Sequence, residues 1–296
     1  MSNPRSLNLP AHTWAGLVIL AGGQLLLRAG NLWIATWLTP VMWTGVILLM
    51  DGLVFHLRGR SWIISRRREL PLLVLASVGV WLIFEAYNLH LRNWRYEGLP
   101  DSSLIRDLGY FWSFATIMPG IFEASDLCLA LLERRRSPEQ IPDSMRGVGR
   151  PWAWSIAGIG MVTIPLVLPP DAAALLFGLV WIGFFLLLDP LNERLGLPAL
   201  RQRWQLGDRR PVYSLLLGGM LCGLLWETWN HQAAAAGGAY WVYIFPDQLR
   251  PLGLRFGQMP VLGLLGFPPF ALELFAFYQL IREVLGGDRV YSPGHS

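Results

Sequence analysis

Long apolar runs, each about 20 residues in length and nearly free of charge, constrain this chain more than any other feature. Hydrophobic residues make up 53% of the 296 positions, whereas charged residues make up only 15%. A soluble domain would carry roughly 25% charged residues, and an α-helix needs about 20 apolar residues to cross a bilayer. The composition therefore predicts an all-α, polytopic integral membrane protein whose main partner is the lipid bilayer.

Eight apolar runs are separated by Pro, Gly or charged residues, which are the usual signals of helix ends. We expect helices at approximately 13–28, 33–56, 70–89, 107–132, 152–168, 172–190, 211–230 and 258–285. The sequence thus predicts about eight transmembrane helices, four in each half of the chain.

Matching residues recur in the two halves. One set keeps the same internal spacing in both copies: Trp43, Gly45, Asp51 and Trp181, Gly183, Asp189. A Glu-x-aromatic-Asn motif, a Trp-x-Tyr pair and a Pro with a nearby Glu follow in each half. We therefore predict a tandem repeat, with one four-helix unit over 1–140 and the second over 141–296. An even number of helices per unit predicts parallel copies related by an axis along the membrane normal.

Basic residues indicate the topology. All 24 of them are Arg, which excludes Schiff-base and P-loop lysine chemistry. Clusters at 58–68, 134–136 and 194–210 follow the second, fourth and sixth predicted helices and would share one face. The positive-inside rule makes that face cytoplasmic, so we expect an inner-membrane protein with both termini in the cytoplasm. Beside apolar runs, such clusters indicate topology rather than nucleic-acid binding.

The acidic residues are the main functional candidates, because an ionisable group inside a membrane is costly to keep. Glu123 and Glu273 fall near the predicted mid-membrane level, and each follows a Pro that should break its helix. A helix that restarts there presents free N–H groups, the usual setting of a substrate or ion site. The alternative is that Pro119, Pro268 and Pro269 only kink their helices.

The repeated Glu-x-aromatic-Asn and Trp-x-Tyr motifs suggest a paired outer vestibule that binds substrate. Its predicted residues are Glu85, Asn88, Trp94, Tyr96, Glu227, Asn230, Trp241 and Tyr243. The spacing i, i+3 places acid and amide on one helix face, where both can reach a ligand. Helix capping by the Asn residues and interfacial anchoring by the aromatic residues are the alternatives.

Asp51 and Asp189 are predicted to relay protons. Arg residues in the following loops could instead neutralise them, and Asp189-Pro190 is typical of a helix end. Cys128 and Cys222 lie in separate apolar runs, and the His residues lack the spacing of a metal or haem pair. We therefore expect neither a metal nor another cofactor.

The stretch from Gly263 to Glu273 and the Glu-x-aromatic-Asn motif resemble a pattern of uncharacterised bacterial polytopic membrane proteins. That resemblance covers the last two predicted helices of each half and implies no activity. A more distant likeness is to small membrane-bound carotenoid cyclases, which are also duplicated and acidic. Their helix number per repeat and their Glu-Glu signature differ from this sequence.

Three functions remain open. Acids retained in both halves favour a small-solute transporter, with proton coupling as one option, because rocking between two faces uses symmetric halves. The aromatic content favours an intramembrane enzyme in which a Glu acts as a general acid on a lipid or isoprenoid and aromatic faces stabilise the cation. A scaffold without chemistry is the third. The sequence does not decide the substrate, the oligomeric state or whether the protein is an enzyme.

Overall fold

The computed structural model describes residues 9–133, 151–244 and 253–286. The predicted Arg134–Arg136 cluster and both chain termini lie outside these ranges. Most of the described residues are helical. The helices are α1 (Ala11–Arg28), α2 (Leu32–Thr36), α3 (Leu38–Arg58), α4 (Trp62–Ser65), α5 (Leu70–Leu91), α6 (Ser103–Ala115), α7 (Ile117–Glu133), α8 (Pro151–Val167), α9 (Pro170–Ala173), α10 (Phe177–Arg194), α11 (Leu200–Gln205), α12 (Arg210–Ala235), α13 (Val261–Leu264) and α14 (Phe267–Val284). The strands are β1 (Trp94–Glu97), β2 (Tyr240–Tyr243), β3 (Arg255–Phe256) and β4 (Met259–Pro260).

Six helical segments are long and apolar enough to cross a membrane. They are Leu38–Arg58, Leu70–Leu91, Ser103–Glu133, Pro170–Arg194, Arg210–Ala235 and Val261–Val284. These spans agree with the prediction of an all-α, multi-pass membrane protein. The helix α8 is apolar but shorter, and α1 is not among the six, so eight spans remain a prediction.

Many large apolar side chains lie on the outside of the bundle. Val18 of α1, Leu89 of α5 and Val167 of α8 are each more than two-thirds exposed. Exposure of so many large apolar side chains is rare on soluble monomers. It suits helices whose outer faces contact lipid.

Two helix pairs pack closely through glycine. A Cβ added at Gly16 of α1 would lie 2.6 Å from the carbonyl oxygen of Gly45 in α3. A Cβ added at Gly158 of α8 would lie 2.7 Å from the carbonyl oxygen of Gly183 in α10. Small residues at these crossings let two backbones approach, as is common between membrane helices.

The predicted breaks near the two Pro-Glu motifs are present. The first separates α6 from α7 at Thr116, and the hydroxyl of Ser77 in α5 occupies it. This hydroxyl donates to the carbonyl of Phe114 at 2.5 Å and accepts from the amide of Met118 at 2.9 Å. An inserted side chain thus replaces a helical bond between these two backbone groups. The second break lies between α13 and α14, where Pro268 and Pro269 occupy the first turn of α14.

Two features differ from the sequence-based expectation. The helix predicted to end at Asp189-Pro190 continues to Arg194 and holds Pro190 in its interior, although Pro there removes one backbone donor. The segments holding Trp94 and Trp241, expected to be loops, form the antiparallel strands β1 and β2. Trp94 pairs with Tyr243 and Tyr96 pairs with Trp241. These strands join the two parts of the chain beside the ends of α5 and α12.

Candidate functional site

Glu85, near the end of α5, accepts three hydrogen bonds from aromatic side chains. The donors are the indole nitrogens of Trp81 at 2.9 Å and Trp94 at 3.1 Å, and the hydroxyl of Tyr96 at 2.5 Å. All three reach the same oxygen, Oε1. Trp81 lies one helical turn before Glu85, whereas Trp94 and Tyr96 come from β1, so the end of α5 and the strand form one polar cluster.

Glu227, in the C-terminal half of α12, has a related set of hydrogen-bond partners. Its Oε1 accepts from the hydroxyl of Tyr243 at 2.5 Å, and that hydroxyl accepts from the indole nitrogen of Trp241 at 2.6 Å. Glu227 is fully buried, and its Oε2 has no hydrogen-bond partner among the described residues. The two sites therefore share the Glu–Tyr pair, but the indole of Trp94 donates to the carboxyl group in the first, whereas the indole of Trp241 donates to the tyrosine in the second.

Both tyrosines are held in the protonated form. Burial is the main cause that raises the pKa of Tyr96 well above its usual value, and the neighbouring Glu85 adds to the effect. Burial likewise raises the pKa of Tyr243, with Glu227 as the second cause. Each phenol therefore carries its proton at neutral pH and donates a hydrogen bond to the carboxyl group beside it.

The two Asn residues of the motif use their amides on the backbone. Asn88 accepts from the amide of Trp94 at 3.1 Å and donates to the carbonyl of Trp94 at 2.9 Å. Asn230 makes the same pair of bonds with Trp241, at 2.9 and 3.0 Å. Both Asn side chains therefore have a structural role. Each fixes the Trp of the Trp-x-Tyr pair relative to the helix before it.

An aromatic cavity of about 1030 Å³, a volume that includes its open mouth, lies between these strands and the helix bundle. Trp94, Tyr96, Trp241 and Tyr243, four of the residues predicted to form a vestibule, line it. Further aromatic side chains, not assigned to the site from the sequence, also line the cavity; they include Trp81, Trp181, Trp226, Phe267 and Phe270. Trp226 directly precedes Glu227, Trp81 lies one helical turn before Glu85, and Trp181 belongs to the repeated Trp-x-Gly motif, so a signal was present for these three.

The cavity walls consist of mutually packed rings. Trp81 contacts Trp94 at 5.9 Å and Trp226 at 6.0 Å between ring centroids, and Trp226 contacts Trp241 at 6.0 Å. Arg106 of α6 also lines the cavity, whereas the carboxyl groups of Glu85 and Glu227 lie behind the tyrosines. The site is therefore an apolar enclosure with hydroxyl groups and one guanidinium at its edge.

Glu123 and Glu273 do not line this cavity and lie in different surroundings. Glu123 in α7 is almost fully buried beside the side chain of Asp51. Glu273 in α14 is also buried and accepts from the backbone amide of Phe184 in α10 at 3.1 Å. One carboxyl oxygen of each has no hydrogen-bond partner among the described residues.

Asp51 of α3 and Asp189 of α10 accept hydrogen bonds from the starts of the short helices α4 and α11. Asp51 accepts from the hydroxyl of Ser61 and the amide of Ile63, both at 2.8 Å, and its Oδ2 lies 2.8 Å from Nε2 of His12. Asp189 accepts from the amides of Leu200 at 2.7 Å and Arg201 at 2.9 Å. Both carboxyl groups thus satisfy free N–H groups at the start of α4 or α11.

Within the described ranges, no group of three or more His, Cys, Asp or Glu side chains could hold a metal ion. Comparisons of the chain with protein-family models, curated proteins and solved structures gave no match. The geometry of the aromatic cavity is therefore the main indication of function.

Proposed function

We propose that this membrane protein is an enzyme that acts on an unsaturated lipid or isoprenoid in the aromatic cavity. The observation that carries this proposal is the enclosure of one cavity by indole and phenyl rings, with two Glu–Tyr pairs at its edge. Aromatic faces attract cations, so they would stabilise a carbocation. A small polar solute would find few polar partners there.

The two pairs suit different halves of a proton transfer. Glu227, one oxygen of which lacks a donor, suits the acid. In its protonated form it would reverse the hydrogen bond that Tyr243 donates to it, and pass its proton to the phenol oxygen while the hydroxyl proton goes to an alkene carbon. Glu85, with three donors, suits the base, because such hydrogen bonds favour a carboxylate. It would receive, through Tyr96, a proton from a carbon next to the cation. A C–H bond forms, another breaks, and the double bond shifts without a co-reactant.

We also infer that the chain is a duplication of two four-helix units, 1–140 and 141–296, with eight spans and parallel copies. The matched glycine crossings, the matched Asn-to-backbone bonds and the matched capping by Asp51 and Asp189 support this inference. The Arg clusters support a location in the inner membrane with both termini in the cytoplasm.

A small-solute transporter is the second candidate. The duplicated acids favour it, with Glu123 and Glu273 binding the solute or a proton and Asp51 and Asp189 relaying charge. Against it, β1 pairs with β2, and the amide of Ile244 donates to the carbonyl of Asn93 at 2.7 Å. These bonds tie the two parts of the chain together at the cavity, where rocking would have to separate them.

The test is lipid analysis of a deletion strain that carries the wild-type gene, Glu85→Gln or Glu227→Gln. We expect the deletion and both variants to accumulate an unsaturated precursor that the wild type converts. Glu97→Gln is the matched control, because Glu97 lies in β1 but pairs with Arg95 at the surface; this variant should restore conversion. The proposal is wrong if both Gln variants leave the lipid profile normal. Loss of solute uptake in Glu123→Gln and Glu273→Gln, with normal lipids, would support the transporter instead.

A further inference from the structure

A second cavity lies beside the aromatic one and opens on the outside of the bundle. It holds about 770 Å³, including its mouth, between α10 and the break that separates α13 from α14. Its lining among the described residues consists only of apolar side chains, glycine and proline. We call it the lateral groove.

The rim of the lateral groove faces the surroundings of the protein. Leu265 is 60% exposed, and Leu262 and Ile182 are also exposed. These residues belong to two segments that are long and apolar enough to span a membrane. An apolar rim on spanning segments would border the hydrocarbon of the bilayer, so lipid chains would be the molecules that reach the groove.

Trp181 separates the lateral groove from the aromatic cavity, because it lines both. Its ring packs against Phe177 at 5.2 Å and Phe270 at 6.1 Å between centroids. It also lies directly on Gly266, where any Cβ would overlap the ring. One side chain, placed against the glycine of a helix break, therefore divides the two spaces.

We infer that the lateral groove is the entrance by which a hydrocarbon chain passes from the bilayer into the aromatic cavity, with Trp181 as the partition that moves aside. The purpose of entry, conversion of the lipid chain, rests on the proposed function. The path itself does not depend on that function. A chain in the groove would extend past Trp181 towards Phe267 and Phe270, with the hydroxyl groups of the two tyrosines further inside.

Gly178 offers a way to close this path with little damage to the fold. It lines the groove, and a Cβ there would meet no atom within 4 Å. Gly178→Leu would therefore fill the groove from an exposed helix face. Gly160 in α8 gives the matched control, since it also has no atom within 4 Å of an added Cβ and does not line the groove.

The experiment uses the full chain in nanodiscs that contain a phosphatidylcholine with a diazirine on its acyl chain. After illumination, crosslinked peptides are mapped by mass spectrometry. We expect wild type and Gly160→Leu to be labelled at the groove, Gly178→Leu to lose most of that labelling, and Trp181→Ala to gain labelling at Phe270 and Trp226. Equal groove labelling in Gly178→Leu, or labelling of Trp181→Ala confined to the outer surface, would overturn the inference. This readout needs no turnover, so it fails or succeeds independently of the lipid conversion tested above.

Discussion

Trp94 lies opposite Tyr243 across the antiparallel pair of β1 and β2, so that each strand places its aromatic side chains beside those of the other. Each strand follows a helix that carries a Glu-x-aromatic-Asn motif in its C-terminal part. The pairing brings Tyr96 and Tyr243, the hydrogen-bond partners of Glu85 and Glu227, to the wall of one cavity.

Raised phenol pKa values predict how stability depends on pH. The unfolded chain loses tyrosine protons near pH 10, whereas Tyr96 and Tyr243 keep theirs to higher pH in the folded protein. The stability from these groups is therefore present below about pH 10 and is lost as the pH rises above that value. Thermal unfolding in detergent should show this decline as a fall in unfolding temperature. The double variant Tyr96→Phe/Tyr243→Phe should show a smaller fall over the same pH range. Tyr213→Phe, at an exposed position, should decline as the wild type does.

Capping by Asp189 predicts a difference between two substitutions. Asp189→Ala leaves the amides of Leu200 and Arg201 without their acceptor and should lower the free energy of unfolding by about 0.5–2 kcal/mol. Asp189→Asn keeps one oxygen acceptor and should lose less. Asp101→Ala, at an exposed position, is the control for loss of an acid. If Asp189→Asn were as stable as wild type but failed to restore lipid conversion in the deletion strain, a proton relay would be preferred over a purely structural role.

Ser77 should be essential to the break between α6 and α7. Ser77→Ala leaves the carbonyl of Phe114 and the amide of Met118 unpaired in a buried place, at a cost of about 1–3 kcal/mol for each group that stays unsatisfied. Hydrogen exchange at the Met118 amide should become faster, and the unfolding temperature should fall. Ser155→Ala, whose hydroxyl makes only a 3.5 Å contact with the carbonyl of Leu187, should change little. Unchanged exchange at Met118 would contradict this account.

Gly266→Ala should displace the Trp181 ring. The added methyl group would overlap Trp181, and overpacking of this kind costs about 1–3 kcal/mol. Gly160→Ala makes the same substitution where the added atom meets nothing, and the better helix propensity of Ala should leave its stability equal or slightly higher. Unfolding temperatures of the two variants in the same detergent make the comparison. Equal stability of both would show that the ring moves aside freely.

Hydrophobic length by itself determined the class of this protein and the approximate places of the six segments that are long and apolar enough to span a membrane. A chain in hydrocarbon must satisfy its backbone internally, so apolar runs as long as those of α5 and α12 have to be helical. Recurrence of the Trp-x-Tyr pair in the two halves of the sequence also drew attention to Trp94, Tyr96, Trp241 and Tyr243, which line the aromatic cavity. The breaks near Pro119 and Pro268 were predictable because Pro lacks a backbone donor.

Only the tertiary structure decided what each polar side chain does. The sequence shows that Asn88 and Glu85 share a helix face, but their partners come from β1, whose pairing with β2 depends on contacts between distant segments. The same applies to Asp51 and Asp189, which cap helices formed later in the chain, and to Glu123 and Glu273, which lie in separate places outside the aromatic cavity. The role of a buried carboxyl group depends on which donors surround it, and those donors are chosen by packing rather than by local pattern.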